Sequence, residues 1–233
     1  MYNRCLKLSL DKKQTAFLWG ARKTGKSTYL KELYPNSIYY DLLKTVKEYY
    51  QILVDTLVGY LLYPYNKKVS REIISSVPKF YFFDAGVANN ITQHQFDNTK
   101  GQEAGKALEH YIFTELKAYI GLNDLDYRIN YWRTKIGLEV DFIISTIRGK
   151  ILPIEVKISE NIHNSELRAI KSFMEEHKVH KGYIVYLEER LRKITWGTQE
   201  IDIIPLQQFL EKLWNNEIIF KVINSSPYCG IVA

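Results

Sequence analysis

The feature that most limits the fold is the switching of apolar periodicity along residues 101–187. Ala104, Ala107, Leu108, Tyr111, Ile112, Leu116, Tyr119 and Ile120 recur at helical spacing, which predicts a long amphipathic helix. Three strand-like runs follow: YRINYWRT (127–134), LEVDFIIS (138–145) and ILPIEVKI (151–158). A second helix is expected over 164–178, a buried strand at GYIVYL (182–187) and a closing helix at LQQFLEKLW (206–214). The order α-β-β-β-α-β can bury all these apolar faces only if the helices cover one shared sheet. The fold class expected is therefore mixed α/β.

Alternation places Glu139 and Asp141 opposite Val140 and Phe142 on the second strand. On the third strand, Glu155 and Lys157 oppose Ile154, Val156 and Ile158. With Arg148-Gly149-Lys150 as a three-residue hairpin loop, Asp141 would face Lys157 and Ile143 would face Glu155. Any register of even index sum keeps the polar groups on one face, and a slip of one residue separates them. Glu109 lies at the border of its helix's apolar stripe and can point into the same face. Two carboxylates on adjacent strands with a lysine suit Mg²⁺-dependent phosphodiester cleavage: the acids hold the metal and the lysine positions or deprotonates water. The catalytic candidates are Glu109, Asp141, Glu155 and Lys157, with Asp141 and Glu155 as metal ligands. The bland alternative is that acids alternate with apolar residues on any half-exposed strand. The D-x(13)-E-x-K spacing behind a helical Glu resembles the PD-(D/E)xK nuclease, or restriction-endonuclease-like, fold.

The N-terminal quarter carries a different motif. Gly20-Ala-Arg-Lys-Thr-Gly25-Lys26-Ser27 satisfies G-x-x-x-x-G-K-[ST] between a short apolar run, TAFLWG (15–20), and a segment that can open a helix. Glycines at Gly20 and Gly25 would let backbone N–H groups turn toward a β-phosphate, and the following helix would aim its positive end at the same anion. Lys26 would reach the β- and γ-phosphates and Ser27 would ligate Mg²⁺, with Thr28 beside them. These residues predict ATP as a bound nucleotide. Hydrolysis needs a further apolar strand ending in Asp-Glu, and none is present. Asp55 in QILVDTL fits a helix, and Asp84 in KFYFFDAG lacks the following Glu.

SIYYDLL (37–43) reads as a second strand of this β-loop-α-β unit. From Thr45, a plausible N-cap, Val46, Tyr49, Tyr50, Leu53 and Leu57 fall on one helical face. VGYLLYPY and KFYFFD then flank the basic stretch NKKVSREIISSVP, a helix-plus-hairpin order that a winged helix-turn-helix remnant or any small α+β subdomain would share. The division expected is 1–43, a partial phosphate-loop unit; 44–100, a winged-helix-like segment; 101–215, the nuclease-like domain; and 216–233, a tail without pattern.

The stretches FLWGARKTGKSTYLKEL and SIYYDLL resemble the opening of a family of bacterial and archaeal AAA-type P-loop ATPases. KFYFFDAGVANNI, GKALEHYIFTELKAYI, YWRTKIGLEVDFII, ILPIEVKIS and PLQQFLEKLW resemble, in order, that family's C-terminal domain of unknown function. The resemblance covers nearly the whole chain except its last 19 residues, and it implies phosphate and Mg²⁺ roles for Lys26 and Ser27. It also exposes a gap. The family's acidic strand, sensor residue and completing arginine would fall between residues like Leu43 and Thr45, so ATP binding without hydrolysis is the expectation.

Bulk properties narrow the alternatives. A net charge of +6 is compatible with DNA as a partner without requiring it, because the lysines and arginines are dispersed. YNKKVSR and YWRTK could contact phosphates and stack on bases, although packing accounts for Trp132 and Arg133. No apolar run approaches the roughly 20 residues of a membrane span, and the first residues lack a signal peptide's pattern, so a cytoplasmic location is expected. Cys5 and Cys229 suggest neither a disulfide framework nor a zinc site, and the five histidines show no ligand spacing.

Overall fold

The computed structural model describes residues 26–36, 42–65, 77–92, 101–159, 162–163 and 165–219. The chain divides into two compact units, Met1–Tyr49 and Tyr50–Ala233. In the first, helix α1 (Lys26–Leu33) begins at the lysine of the phosphate-loop motif. Gly20, Gly25, the strand expected at 15–20, residues 37–41 of the second expected strand, Cys5 and Cys229 lie outside the described residues.

Helix α2 (Leu42–Asp55) starts earlier than its sequence signals suggest. Leu42 and Leu43 are helical, not the end of a strand, and Thr45 is an interior residue, not a cap. Leu42 lies four residues before Val46, so the same 3.6-residue period runs upstream through good helix formers. The far end also differs. Leu57 lies beyond the helix with φ of 60°, while Val58 N–H donates to the Leu53 carbonyl at 2.8 Å and Leu57 N–H to that of Val54 at 3.0 Å. These paired bonds form a Schellman C-cap with leucine where glycine is usual.

Strands β1 (Gly59–Leu62) and β2 (Lys79–Phe82) pair antiparallel, and helix α3 (Ala85–Thr92) follows. The helix and two strands expected over this region are present, and the basic stretch 66–76 between them lies outside the described residues.

Next come α4 (Gln102–Leu122), β3 (Tyr127–Arg133), β4 (Glu139–Thr146), β5 (Ile151–Val156), α5 (Arg168–His177) and β6 (Lys181–Tyr186), in the expected α-β-β-β-α-β order. Two strands not foreseen, β7 (Arg192–Trp196) and β8 (Gln199–Pro205), precede α6 (Leu206–Trp214). Their two-residue loop has Gly197 at a positive φ of 55°, the first-position requirement of a tight hairpin turn. The six strands are ordered β3-β4-β5-β6-β8-β7, with β5-β6 and β6-β8 parallel and the other pairs antiparallel. β1 approaches the β3 edge, where Tyr65 N–H donates to the Tyr131 carbonyl at 2.6 Å.

One sheet face packs Phe142, Ile144, Leu152, Ile154 and Val185 against Ile112, Phe113 and Leu116 of α4 and Phe209 and Leu213 of α6. The other packs Trp132, Val140, Ile143 and Ile184 against Ile170, Phe173 and Met174 of α5. Gly182 permits that closeness: a Cβ there would lie 2.9 Å from Met174 Sδ and 3.3 Å from Pro153 Cγ. The tail is not wholly without structure, since Ile218 and Ile219 join the first face's core. Among the described residues no helix is long and apolar enough to cross a membrane.

Candidate active site

The β4-β5 hairpin positions the carboxylates, and its register differs from the expected one by two residues. Phe142 pairs with Ile154 and Ile143 with Pro153, so Ile143 does not face Glu155 and Asp141 does not face Lys157. The loop is Ile147-Arg148-Gly149, one residue earlier than expected. Thr146 N–H donates to the Lys150 carbonyl and Gly149 N–H to the Thr146 carbonyl, each at 3.0 Å. A three-residue hairpin loop needs its last position in the left-handed region, and Gly149 supplies it with φ of 79°. Moving the loop by one residue shifts the index sum by two. The sum stays even, and Asp141 comes beside Glu155 where the pairing ends.

A β-bulge then re-aims Asp141. Asn130 pairs with Ile143 and Trp132 with Val140, so Tyr131 alone faces both Asp141 and Phe142. The extra residue breaks the simple alternation: Val140 joins Ile143 on the α5 face, while Phe142 joins Ile144 on the α4 face. Asp141 Oδ2 accepts the Val156 N–H at 2.9 Å, in place of a ladder bond beyond the last β4-β5 pair. The carboxylate therefore holds the two strands at the point where they part.

Glu155 is 3% exposed. Its Oε1 accepts from Lys157 Nζ at 2.7 Å, and its Oε2 is buried without a hydrogen-bond partner. On the opposite flank, Lys79 Nζ from β2 lies 2.9 Å from Glu109 Oε1, 2.5 Å from Glu139 Oε1 and 3.8 Å from Asp141 Oδ1. Tyr81 OH donates to the same Glu109 oxygen, and Arg133 Nε reaches Glu139 Oε2 at 3.3 Å. His110 Nε2 and the Phe82 carbonyl, 2.8 Å apart, add a second tie between α4 and β2.

All four predicted residues thus belong to one electrostatic neighbourhood: Asp141, Glu155 and Lys157 are adjacent, and Glu109 joins through Lys79. Sequence reasoning missed Lys79 and Tyr81 as members. Their i, i+2 spacing puts them on one face of KFYF, the signal that was present, but nothing local says which face meets residues about 30 positions downstream.

Burial raises the Asp141 carboxyl well above its ordinary range, and the carboxylates of Glu155 and Glu109 raise it further against the opposing pull of Lys79 and the Val156 N–H. Burial likewise raises Glu155, partly offset by Lys157. For Lys157 and Lys79, burial alone would lower the ammonium, but nearby carboxylates win and both are raised: Glu155 foremost for Lys157, Glu109 and Asp141 for Lys79. Tyr81 is raised by burial and by Glu109.

The donor set fits a divalent cation of modest demand. Asp141 Oδ1 and the orphaned Glu155 Oε2 are two hard oxygens, and Mg²⁺ commonly takes one or two carboxylates with water and substrate oxygens completing its shell. Among the described residues no group of three or more His, Cys, Asp or Glu side chains is placed to hold a metal, so an all-protein cage is not what this site offers. The phosphate-loop candidates are only partly visible: Lys26 opens α1, Thr28 is exposed on it, and Gly20 and Gly25 are outside the described residues. Trp132 is 1% exposed and stacks edgewise on Phe173, so its ring is a core element, not a base-stacking platform.

Residues 104–209 match the model of a domain of unknown function, DUF4143, which is found in AAA-ATPase-associated proteins. Residues 21–98 match a second domain of unknown function, DUF8612. Neither the curated proteins nor the solved structures gave a match.

Proposed function

We propose that residues 101–215 form a PD-(D/E)xK nuclease-like domain that cleaves DNA phosphodiesters with Mg²⁺. The observation that carries this reading is the pairing of a buried, unpartnered Glu155 oxygen with Asp141 at the end of two strands. Asp141 and Glu155 would hold the cation. When bound, Mg²⁺ supplies charge for a phosphate oxygen and a more acidic water. The protein's own groups do the rest. Both carboxyls must give up their protons to serve as ligands, so activity should fall in acid. Lys157 keeps its proton at neutral pH because Glu155 raises it; it therefore acts as a fixed positive charge that orients Glu155 and steadies the phosphate, not as a base. Glu109, held by Tyr81 and Lys79, borders the site on the α4 side.

The test is incubation of the full chain with single- and double-stranded DNA plus Mg²⁺ or Mn²⁺. Asp141→Ala and Glu155→Gln should each lower cleavage more than about a hundredfold and Lys157→Ala about a hundredfold. Absence of cutting, or cutting indifferent to Asp141→Ala, rejects the reading. Salt-sensitive DNA retention without cleavage would instead identify a non-catalytic DNA-binding module, to which the winged-helix-like segment 44–100 would contribute.

A second reading concerns the N-terminal motif and rests on the helical placement of its Lys26 in α1, together with the G-x-x-x-x-G-K-[ST] spacing of residues 20–27. Residues 20–28 would bind ATP through the loop N–H groups and Lys26, with Ser27 on Mg²⁺, and would not hydrolyse it. ATP retention lost in Lys26→Ala, with no phosphate release, is the expected result. Phosphate release that disappears in Lys26→Ala would overturn the non-hydrolysing part.

A further inference from the structure

Lys79 reaches across three carboxylates carried by two elements, Glu109 on α4 and Glu139 and Asp141 on β4. Anchoring β2 does not require that reach. Tyr81 already bonds Glu109, His110 already meets the Phe82 carbonyl, and Tyr81 stacks on Phe113 with ring centroids 4.3 Å apart. The reach also has a definite target. One Asp141 oxygen is taken by the Val156 N–H, which leaves Oδ1 for a cation, and Oδ1 is the oxygen that Lys79 Nζ faces at 3.8 Å.

We infer that Lys79 is a resident cation of the acidic site, brought to it by β2, which a divalent cation must push aside in order to bind Asp141. This rests on the Mg²⁺ reading above. An ammonium and a divalent ion on one carboxylate oxygen repel across a few ångströms of partly desolvated space. Nζ already meets Glu109 and Glu139 at 2.9 and 2.5 Å, and the four-carbon lysine stem lets it keep those partners while it moves off Asp141 without moving the strand. Until a metal arrives, Lys79 offsets the mutual repulsion of the acids and keeps the site closed to loosely bound cations. Lys79 falls within the 21–98 match and its carboxylate partners within 104–209, so one matched segment sets the metal affinity of the other.

The experiment is calorimetric titration of Mn²⁺ into the full-length protein, its Lys79→Met, Lys79→Arg and Asp141→Asn variants, together with acetylation of the wild-type chain read residue by residue by mass spectrometry. Lys79→Met should bind Mn²⁺ at least roughly tenfold more tightly. Lys79→Arg should stay near wild type, and the Lys79 amine should become more reactive as Mn²⁺ saturates. Asp141-dependent Mn²⁺ binding that Lys79→Met leaves unchanged or weakens overturns this inference and leaves the metal reading standing. Absence of Mn²⁺ binding in every variant, Lys79→Met included, overturns both. Should Lys79→Met fail to fold, acetylation decides: no rise in Lys79 reactivity at saturating Mn²⁺ overturns the inference.

Discussion

In the folded chain the carboxyls of Asp141 and Glu155 hold their protons more tightly than in the unfolded one, because burial penalises both charged forms and, at Asp141, the carboxylates of Glu155 and Glu109 add to that penalty. An acid whose pKa rises on folding contributes stability below its unfolded value and loses it as pH climbs through the folded value. Unfolding by urea without added metal should therefore show stability declining as pH rises from the ordinary carboxylate range toward neutrality. Asp141→Asn should remove part of that slope, so the variant gains on the wild type with rising pH and the difference narrows in acid. Parallel pH profiles for the two proteins would contradict this. Saturating Mg²⁺ should flatten the wild-type profile, since a bound cation favours the ionised acids. Glu155 and Lys157 were legible as one polar face because period-2 alternation holds along β5, and Glu109 as the border of a helical stripe; for Asp141 the residue type was legible and the alternation was not, because the β4 bulge interrupts it. Lys79 was not, because a lysine on a short strand is indistinguishable from a solvated one until its partners are placed around it.

At the scale of elements, two glycine-type positions decide geometry that composition does not reveal. Gly149→Ala puts a side chain at φ of 79° and should cost about 1–2 kcal/mol by urea denaturation. By weakening the loop that sets the β4-β5 register, it should also lower metal-dependent activity through Asp141, although residue 149 is remote from the site. The converse holds at the end of α2. Leu57 occupies a left-handed C-cap at 74% exposure, so Leu57→Gly should stabilise the chain by about 0.5–1 kcal/mol, measured as a raised urea midpoint. The hairpin between β4 and β5 was expected with the right loop length and the wrong centre. What fixes the centre is that glycine belongs at the loop's last position, not its middle. The β7-β8 hairpin was missed altogether, although Gly197-Thr198 between RKITW and QEIDIIP carries its turn chemistry.

For the whole molecule, the sheet's two apolar faces and their helices lie within residues 50–233, which form a compact unit. A chain of residues 50–233 should unfold in one cooperative transition, and Gly182→Ala, which crowds Met174 and Pro153 between α5 and the sheet, should lower its stability by about 1–3 kcal/mol. Unfolding in two separated transitions would show that the two faces do not form one cooperative core. Periodicity and residue chemistry, which are local properties of the chain, specified the element order from α4 to β6, the apolar face of β5 and the residue types of the candidate site, whereas on β4 they put Val140 and Phe142 on one face and the folded sheet has them on opposite ones. The β4 bulge, the strand order that inserts β8 between β6 and β7, the entry of Ile218 and Ile219 into the core, and the placing of Lys79 among Glu109, Glu139 and Asp141 were decided only by the tertiary structure. Each depends on contacts between segments distant along the chain, whose free energy no local pattern encodes.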